Sequence, residues 1–344
     1  MRARAKWQGH RRGVQLAFVV LCLWIGIDFY LFMRWGLSSG QVAYHARPPG
    51  VEGFLPISGL IGLKHAVLSG SINRVHPAAL VILGAVLLTS VVVKKAFCSW
   101  LCPIGTLSEA LWRVGEKLTG RALVPPRWLD WPLRSLKYLG LAFFVWAIWQ
   151  MDLPSLTAFV NSPYNQVADV KMYLFFARLS GFALQTVVVL AVLSLFVRNP
   201  WCRFLCPYGA LLGLSGMASP VKITRATSTC TNCRLCTRAC PSLVRVHTAH
   251  RVWSDECTGC LDCVAACPVP NTLALQTRRG RALTRRAVAV LVVGLFSATV
   301  GLAMLTGHWK NDLTAQDYLR HFARIDSGLY QHNRGRVPSP PPKE

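Results

Sequence analysis

Acidic side chains are scarce in this chain of 344 residues: 14 Asp and Glu stand against 38 Lys and Arg, a formal net charge of +24. In a soluble protein that imbalance suggests nucleic acid. Here no recognised nucleic-acid-binding module occurs and the cations are scattered over loops, which argues against such a partner. Polar side chains are thin as well. With 53% hydrophobic residues and a mean hydropathy of +0.37, the composition argues against a soluble globular protein. A secretory cleavage site is also missing. The basic start MRARAKWQGHRR leads into a long apolar stretch without a small-residue cleavage pattern, which reads as a retained first span. What is left is a membrane protein whose cations hold loops on one side of the bilayer.

Five stretches approach the roughly 20 apolar residues needed to cross a bilayer. They are Val14 to Trp35, His76 to Phe97, Leu133 to Met151, Tyr173 to Val197 and Leu283 to Leu305. In the third, Arg134 and Lys137 must reach towards the interface. Cations crowd the N-terminus, the loop after span two (Lys94, Lys95, Arg113, Lys117, Arg121, Arg127) and the loop after span four, while Lys171 alone stands between spans three and four. Five spans place all these basic loops on one side, which the positive-inside rule makes cytoplasmic.

The expected fold is an α-helical integral protein of the bacterial-type inner membrane, with an inserted cytoplasmic two-cluster ferredoxin-like α+β domain. Its parts are a helical hairpin over 1–97 with an extracytoplasmic loop 36–75, a cytoplasmic loop 98–132 and a second hairpin 133–197. A cytoplasmic segment 198–282 follows, with the ferredoxin domain at about 222–276, then a fifth span 283–305 and an extracytoplasmic tail 306–344. Leu60 to Leu68 is a candidate short interfacial helix. The closing VPSPPPKE reads as disordered.

Two runs, CTNCRLCTRACP at 230–241 and CTGCLDCVAACP at 257–268, follow Cys-x2-Cys-x2-Cys-x3-Cys-Pro. This is the two-cluster bacterial ferredoxin spacing, in which the fourth cysteine of each run reaches the other cluster. The expected ligands are Cys230, Cys233, Cys236 and Cys267 for the first [4Fe–4S] cluster, and Cys257, Cys260, Cys263 and Cys240 for the second. Zinc favours four ligands in two pairs, and disulfides do not suit a cytoplasmic face. Arg234, Arg238 and Arg245 lie close in sequence; their charge would stabilise a reduced cluster.

A second cysteine motif occurs twice at the end of an apolar segment: FCSWLCPIG at 97–105 and WCRFLCPYG at 201–209. Each closes a pair of spans, so the chain carries an internal repeat of two helical hairpins. An i, i+4 spacing suits one helix face, yet Pro103 and Pro207 disfavour helical geometry at Cys102 and Cys206. Each proline fits the first position of a new helix. The second cysteine then sits at a bend, its sulfur near a helix N-terminus that favours thiolate. Three uses stay open for Cys98, Cys102, Cys202 and Cys206: ligands of a third [4Fe–4S] cluster, a dithiol or copper site, or packing. The lone Cys22, inside span one, reads as packing.

Paired Cys-x3-Cys-Pro motifs on membrane spans, followed by a two-cluster ferredoxin segment, resemble the NapH/NosR/CcoG group of membrane polyferredoxins, over roughly residues 75–275. All twelve cysteine positions match. The resemblance implies electron transfer: NapH-type members are components of quinol dehydrogenases, NosR-type members feed a periplasmic reductase, and CcoG-type members are linked to copper reduction for oxidase assembly. The sequence shows no counterpart of the large periplasmic flavin domain of NosR, nor of the terminal β-sandwich of CcoG. NapH-type is therefore the nearest reading.

The implied function is a membrane-bound iron–sulfur carrier between the quinol pool and a redox partner, either a ferredoxin-like protein or a periplasmic reductase subunit. It would act as the ferredoxin-type component of a quinol dehydrogenase or as a plain electron carrier. The competing readings are a copper reductase or assembly factor and a redox regulator of a respiratory metalloenzyme. A quinone site needs an apolar pocket, hydrogen-bond partners and a proton acceptor. Ionisable residues within spans are candidates. Asp28 and Arg178 lie at similar depths and are read either as a mutual pair or, with His65 and His76, as quinol and proton-transfer groups.

Overall fold

The computed structural model describes residues 2–120 and 122–330; the VPSPPPKE stretch lies outside the described residues. The chain is mostly helical. In order it forms α1 (Arg2–Leu37), α2 (Pro56–Ser69), α3 (Pro77–Val93), α4 (Phe97–Trp100), α5 (Pro103–Thr119), α6 (Arg127–Trp149), α7 (Leu153–Val160), α8 (Pro163–Gln166), α9 (Ala168–Ala177) and α10 (Gly181–Phe196). After a single π-helical turn, Trp201–Leu205, come α11 (Pro207–Met217), β1 (Lys222–Arg225), α12 (Leu235–Arg238), α13 (Asp262–Ala265), β2 (Leu273–Gln276), α14 (Arg285–Leu305) and α15 (Ala315–Ala323).

Gly9–Leu37 and Arg285–Leu305 are each long and apolar enough to cross a membrane, and two broken pairs, α6 with α7 and α9 with α10, raise the number of candidate spans to four. The apolar α3 has 17 residues, about 26 Å of helix at 1.5 Å per residue. The fourth span is not continuous as expected over Tyr173 to Val197. Arg178 leaves helical geometry (φ −121°, ψ 51°), α9 ends at Ala177 and α10 starts at Gly181. The two helices bend by 81° at this break, and α9 with its N-cap Val167 packs into a core. Val167, Val170 and Leu174 are buried in a cluster with Phe29, Phe32, Met33, Tyr318 and Phe322. Hydropathy alone cannot tell such a packed helix from a span.

The chain divides into two compact units. The first holds the chain up to Val20, Val86–Phe143 and Gly181–Ser297. The second holds Leu21–Ala85, Phe144–Ser180 and the chain from Ala298. In the first unit α5 lies along α10 so closely that a Cβ on Gly115 would overlap the Leu195 carbonyl oxygen. The only named sheet among the described residues is there too: β1 and β2 pair antiparallel, with Lys222 opposite Gln276 and Arg225 opposite Leu273. Ile223 and Leu275, opposite each other across the two strands, are both buried.

The second unit gathers α2, α7, the C-terminal part of α1, α9 and α15. The stretch expected as a short helix at Leu60 to Leu68 lies inside α2, whose Ile61 is buried with Val75, Ile148, Leu156 and Val160. The tail after α14 folds as well. Thr314 and Asp317 form a capping box at the start of α15, and Tyr318 and Phe322 enter the core.

Candidate metal centres

Each repeat of the Cys-x3-Cys-Pro motif builds the same turn. Cys102 N–H donates to Phe97 O at 2.9 Å and Cys206 N–H donates to Trp201 O at 3.0 Å, five residues back in both cases. Both cysteines then take extended backbone (φ −62°, ψ 120° and φ −75°, ψ 106°) and act as N-caps for helices that start with proline. The sulfur of Cys102 accepts Gly105 N–H at 3.4 Å, and that of Cys206 accepts Gly209 N–H at 3.3 Å. A proline at N1 forfeits no useful donor, and the sulfur takes the role of an N-cap oxygen. The glycines are the unread part of the motif. A Cβ on Gly105 would overlap the Cys98 carbonyl oxygen, and one on Gly209 would stand 3.3 Å from that of Cys202.

The two repeats meet. Cys98 lies in the electrostatic field of Cys102 and Cys206, and Cys202 in that of the other three. Burial pushes the Cys98 thiol up to about 12, against the pull of Lys95, and the Cys202 thiol well above its ordinary value. Lys95, which the sequence offers as one loop cation among several, is buried against Cys98, Cys202, Cys206 and Glu256.

The ferredoxin segment forms two further thiol cavities. Cys230, Cys233, Cys236 and Cys267 line one, of about 340 Å³ including open space; Cys240, Cys257, Cys260 and Cys263 line another, of about 360 Å³. Left-handed backbone at Asn232, Arg234, Gly259 and Leu261 lets the loops wrap inward. Burial raises the Cys240 thiol to about 12 and those of Cys260 and Cys263 well above the ordinary range. Buried thiols of this kind ionise only beside compensating positive charge, which an iron core supplies. Among the described residues no three His, Cys, Asp or Glu side chains converge tightly enough for a single metal ion. A cubane, whose four irons each take one thiolate, holds its ligands farther apart than one ion does, so the donor sets fit a cluster better than zinc.

Acidic residues tie the segment down. Arg11 forks onto Glu109 at 2.7 and 2.8 Å and lies 3.6 Å from Asp262. Burial alone would raise the Glu109 carboxyl, but the Arg11 guanidinium overrides it and holds the carboxyl below its usual range. Asp255 and Glu256 take Arg134 at 3.3 and 3.1 Å, Glu256 also takes Lys137, and Asp255 takes the Tyr138 hydroxyl. Arg203 forks onto Asp130.

The four quinol candidates all belong to the second unit, whereas the twelve motif cysteines belong to the first. Asp28 and Arg178 do not pair with each other. Asp28 stands 3.4 Å from His45, and Arg178, exposed at the end of α9, stands 3.6 Å from Asp326. Arg178 caps α9 at the break before α10, and there its partner is Asp326. His65 is buried 3.3 Å from Ser69 Oγ. His76 is buried with Nε2 2.5 Å from Asn165 O and Nδ1 3.3 Å from Glu52. Facing a carbonyl, Nε2 must carry the proton, and Nδ1 has no hydrogen-bond partner among the described residues. Around it Arg47 joins Glu52, at 2.9 Å, to Asp169, and Glu52 accepts Ala79 N–H at 2.9 Å at the start of α3. Sequence reasoning misses Arg47, Glu52 and Asp169; their rarity as charges among prolines, glycines and apolar residues is the signal that could find them.

The fold and the thiol sets define a membrane protein of the ferredoxin type. Comparison bears this out. A 4Fe-4S binding domain model matches twice, at 75–122 and 179–225, on the two Cys-x3-Cys-Pro repeats, and a 4Fe-4S dicluster domain model matches 222–269. YccM of Escherichia coli K12, a protein named for electron transport, is 42% identical over 90% of this chain and 88% of its own. The chain belongs to its family of membrane ferredoxin-type 4Fe–4S electron-transport proteins. The methylamine utilization ferredoxin-type protein MauN of Methylorubrum extorquens is 28% identical over 68% of this chain and 75% of its own. The ferredoxin-type protein NapH of E. coli K12 is 25% identical over 68% and 76%. No solved structure matches.

Proposed function

We propose that this protein passes electrons between the quinol pool and a redox partner through three thiol-held sites in fixed order: the four Cys-x3-Cys-Pro cysteines, then Cys240 with Cys257, Cys260 and Cys263, then Cys230 with Cys233, Cys236 and Cys267. One observation carries the order. Cys98 and Cys202 of the first set line the same cavity as Cys260 of the second. A [4Fe–4S] cluster supplies a one-electron site wherever four such thiolates hold it. The double match of the membrane motif to a 4Fe–4S binding model supports a cluster over copper at the first set.

The chain's own residues do the rest. Lys95 places a buried cation beside the first set. Arg11, Arg134 and Lys137 clamp the ferredoxin segment to the helices through its three carboxylates. Tyr208, near Cys98 and Cys206, offers a quinol a hydrogen-bonding group on the same side as the thiols. His76, buried with its bare Nδ1 beside Glu52, is the candidate proton-transfer group of the second unit. Five passes with the thiols on the cytoplasmic face accord with the basic loops.

Iron and acid-labile sulfide per chain, on anaerobically purified protein, test the reading. About twelve irons are expected, falling to about eight when Cys98, Cys102, Cys202 and Cys206 are all serine. Eight in both proteins would remove the first site from the path. Quinol-dependent bleaching of the cluster absorbance tests the donor.

A further inference from the structure

The lobe that carries the last site has a one-sided charge. Residues 222–281 hold nine Lys and Arg against three carboxylates, Asp255, Glu256 and Asp262. All three are engaged by cations of the helical part: Asp255 and Glu256 by Arg134 and Lys137, Asp262 by Arg11. The outward surface is left cationic. One cationic place borders a thiol site. Cys233 is the exposed cysteine of the thirteen. Arg225 and Arg234 line its cavity, Arg225 hydrogen-bonds the neighbouring Cys230, and Arg238 lies one helical turn from Arg234, next to Leu235, which is 41% exposed. No carboxylate among the described residues pairs with Arg225, Arg234 or Arg238. An exposed leucine between two arginines, two residues beyond the exposed Cys233, suits an electrostatically steered docking face.

We infer that this place is the docking face for an acidic, soluble one-electron carrier protein. The inference rests on the relay proposed above and names its partner's chemistry and its exit. In the step served, one electron leaves the reduced site held by Cys233 and enters the oxidised carrier; no bond forms or breaks and no proton moves. A carrier rich in carboxylates would meet it at Arg234 and Arg238 and seat an apolar contact on Leu235.

Cytochrome c provides a matched probe, because its native form is basic and its succinylated form acidic on one haem fold. Binding of each, oxidised, to the full chain in nanodiscs of neutral lipid is measured at low salt, so that no electron flow is needed. The acidic form is expected to bind at least about tenfold more tightly, with the preference falling as salt rises. The Arg234→Glu/Arg238→Glu variant should lose that preference, and Arg234→Gln/Arg238→Gln should lose part of it. Reversal of Arg278, Arg279 and Arg281 on the same lobe should change binding less than about twofold. Equal binding of both cytochromes, or equal loss from the two arginine sets, would overturn the inference. So would capture of phosphatidylglycerol vesicles through Arg234 and Arg238 without any protein preference. Iron content and EPR on the same samples keep the two readings apart: absent clusters sink the relay, while intact clusters without charge preference sink only the docking face.

Discussion

The two Cys-x3-Cys-Pro turns are the same device in two environments. Both use an i to i−5 closing bond, an extended cysteine, a proline and a sulfur that accepts a glycine N–H. The first is tighter: Gly105 has its Cys98 carbonyl where a Cβ would go, while at Gly209 the corresponding gap is 3.3 Å. The first also brings a cation, since Lys95 stands three residues before Cys98 where Asn199 stands three before Cys202. A duplicated turn therefore need not give equivalent halves. One turn is the tighter and carries the cation; the other repeats the turn with more room.

The largest expected effect breaks the tighter turn. Gly105→Ala forces the Cys98 carbonyl away and moves the sulfur that follows it, so the first thiol set should fail to hold its cluster. The measured iron should drop by about four per chain while the ferredoxin signals persist. Unchanged iron would show that the turn yields without moving its thiols.

Next comes the charge. Removing Lys95 as Lys95→Met takes one positive charge from beside three of the four thiols. At several ångströms and an effective dielectric near 20 that is worth roughly 2 kcal/mol, or on the order of 100 mV. An EPR redox titration should show the potential of that site falling, with the other two nearly unmoved. A shift shared equally by all three sites would place Lys95 elsewhere in the electrostatics.

How much of this is legible in the sequence is decided by range. The candidate ligand cysteines are readable because cluster spacing is a local constraint, and the bend at Cys102 and Cys206 because proline acts on its neighbour. Gly105 and Gly209 stand in the motif in plain view, but the demand for glycine comes from a carbonyl seven residues back, at Cys98 and Cys202. That approach exists only once the chain has turned, and spacing does not reveal it. Lys95 looks like one loop cation among many. The Arg47, Glu52, Asp169 cluster closes over more than a hundred residues, and no local pattern announces such a contact. The break in the fourth span escapes for the converse reason: the apolar run is continuous in sequence, while Val170 and Leu174 of α9 and its N-cap Val167 pack into a core and the helix bends before α10.

A smaller effect concerns the clamp that holds the first turn to α1. Glu109 is held below its ordinary value by Arg11, so its folded-state carboxyl is depressed relative to the unfolded chain. Its stabilisation is present above the ordinary carboxylate range and is lost as pH falls through the lowered folded value. Thermal unfolding in detergent should thus steepen its loss of stability below about pH 4.5. Glu109→Gln should flatten that dependence and cost about 2–4 kcal/mol near neutrality, because the buried Arg11 loses its nearer carboxylate and keeps only the more distant Asp262. A pH profile identical to the parent's would remove Glu109 from the acid response.

The smallest effect tests whether the looser turn is as tolerant as its gap implies. A Cβ on Gly209 would meet the Cys202 carbonyl oxygen at 3.3 Å and Lys95 Nζ at 3.4 Å. Both contacts are tight but not overlapping, and the ammonium is the end of a flexible side chain. Gly209→Ala should therefore keep all of its iron and lose no more than about 1 kcal/mol, partly offset by the reduced freedom of the unfolded chain. What it should change is the position of Lys95. If the potential of the first site drops in Gly209→Ala but not in Lys95→Met/Gly209→Ala relative to Lys95→Met alone, then the second turn acts on the site through the cation supplied by the first. Loss of iron on the scale of Gly105→Ala would instead make the two turns equivalent and end the distinction between them.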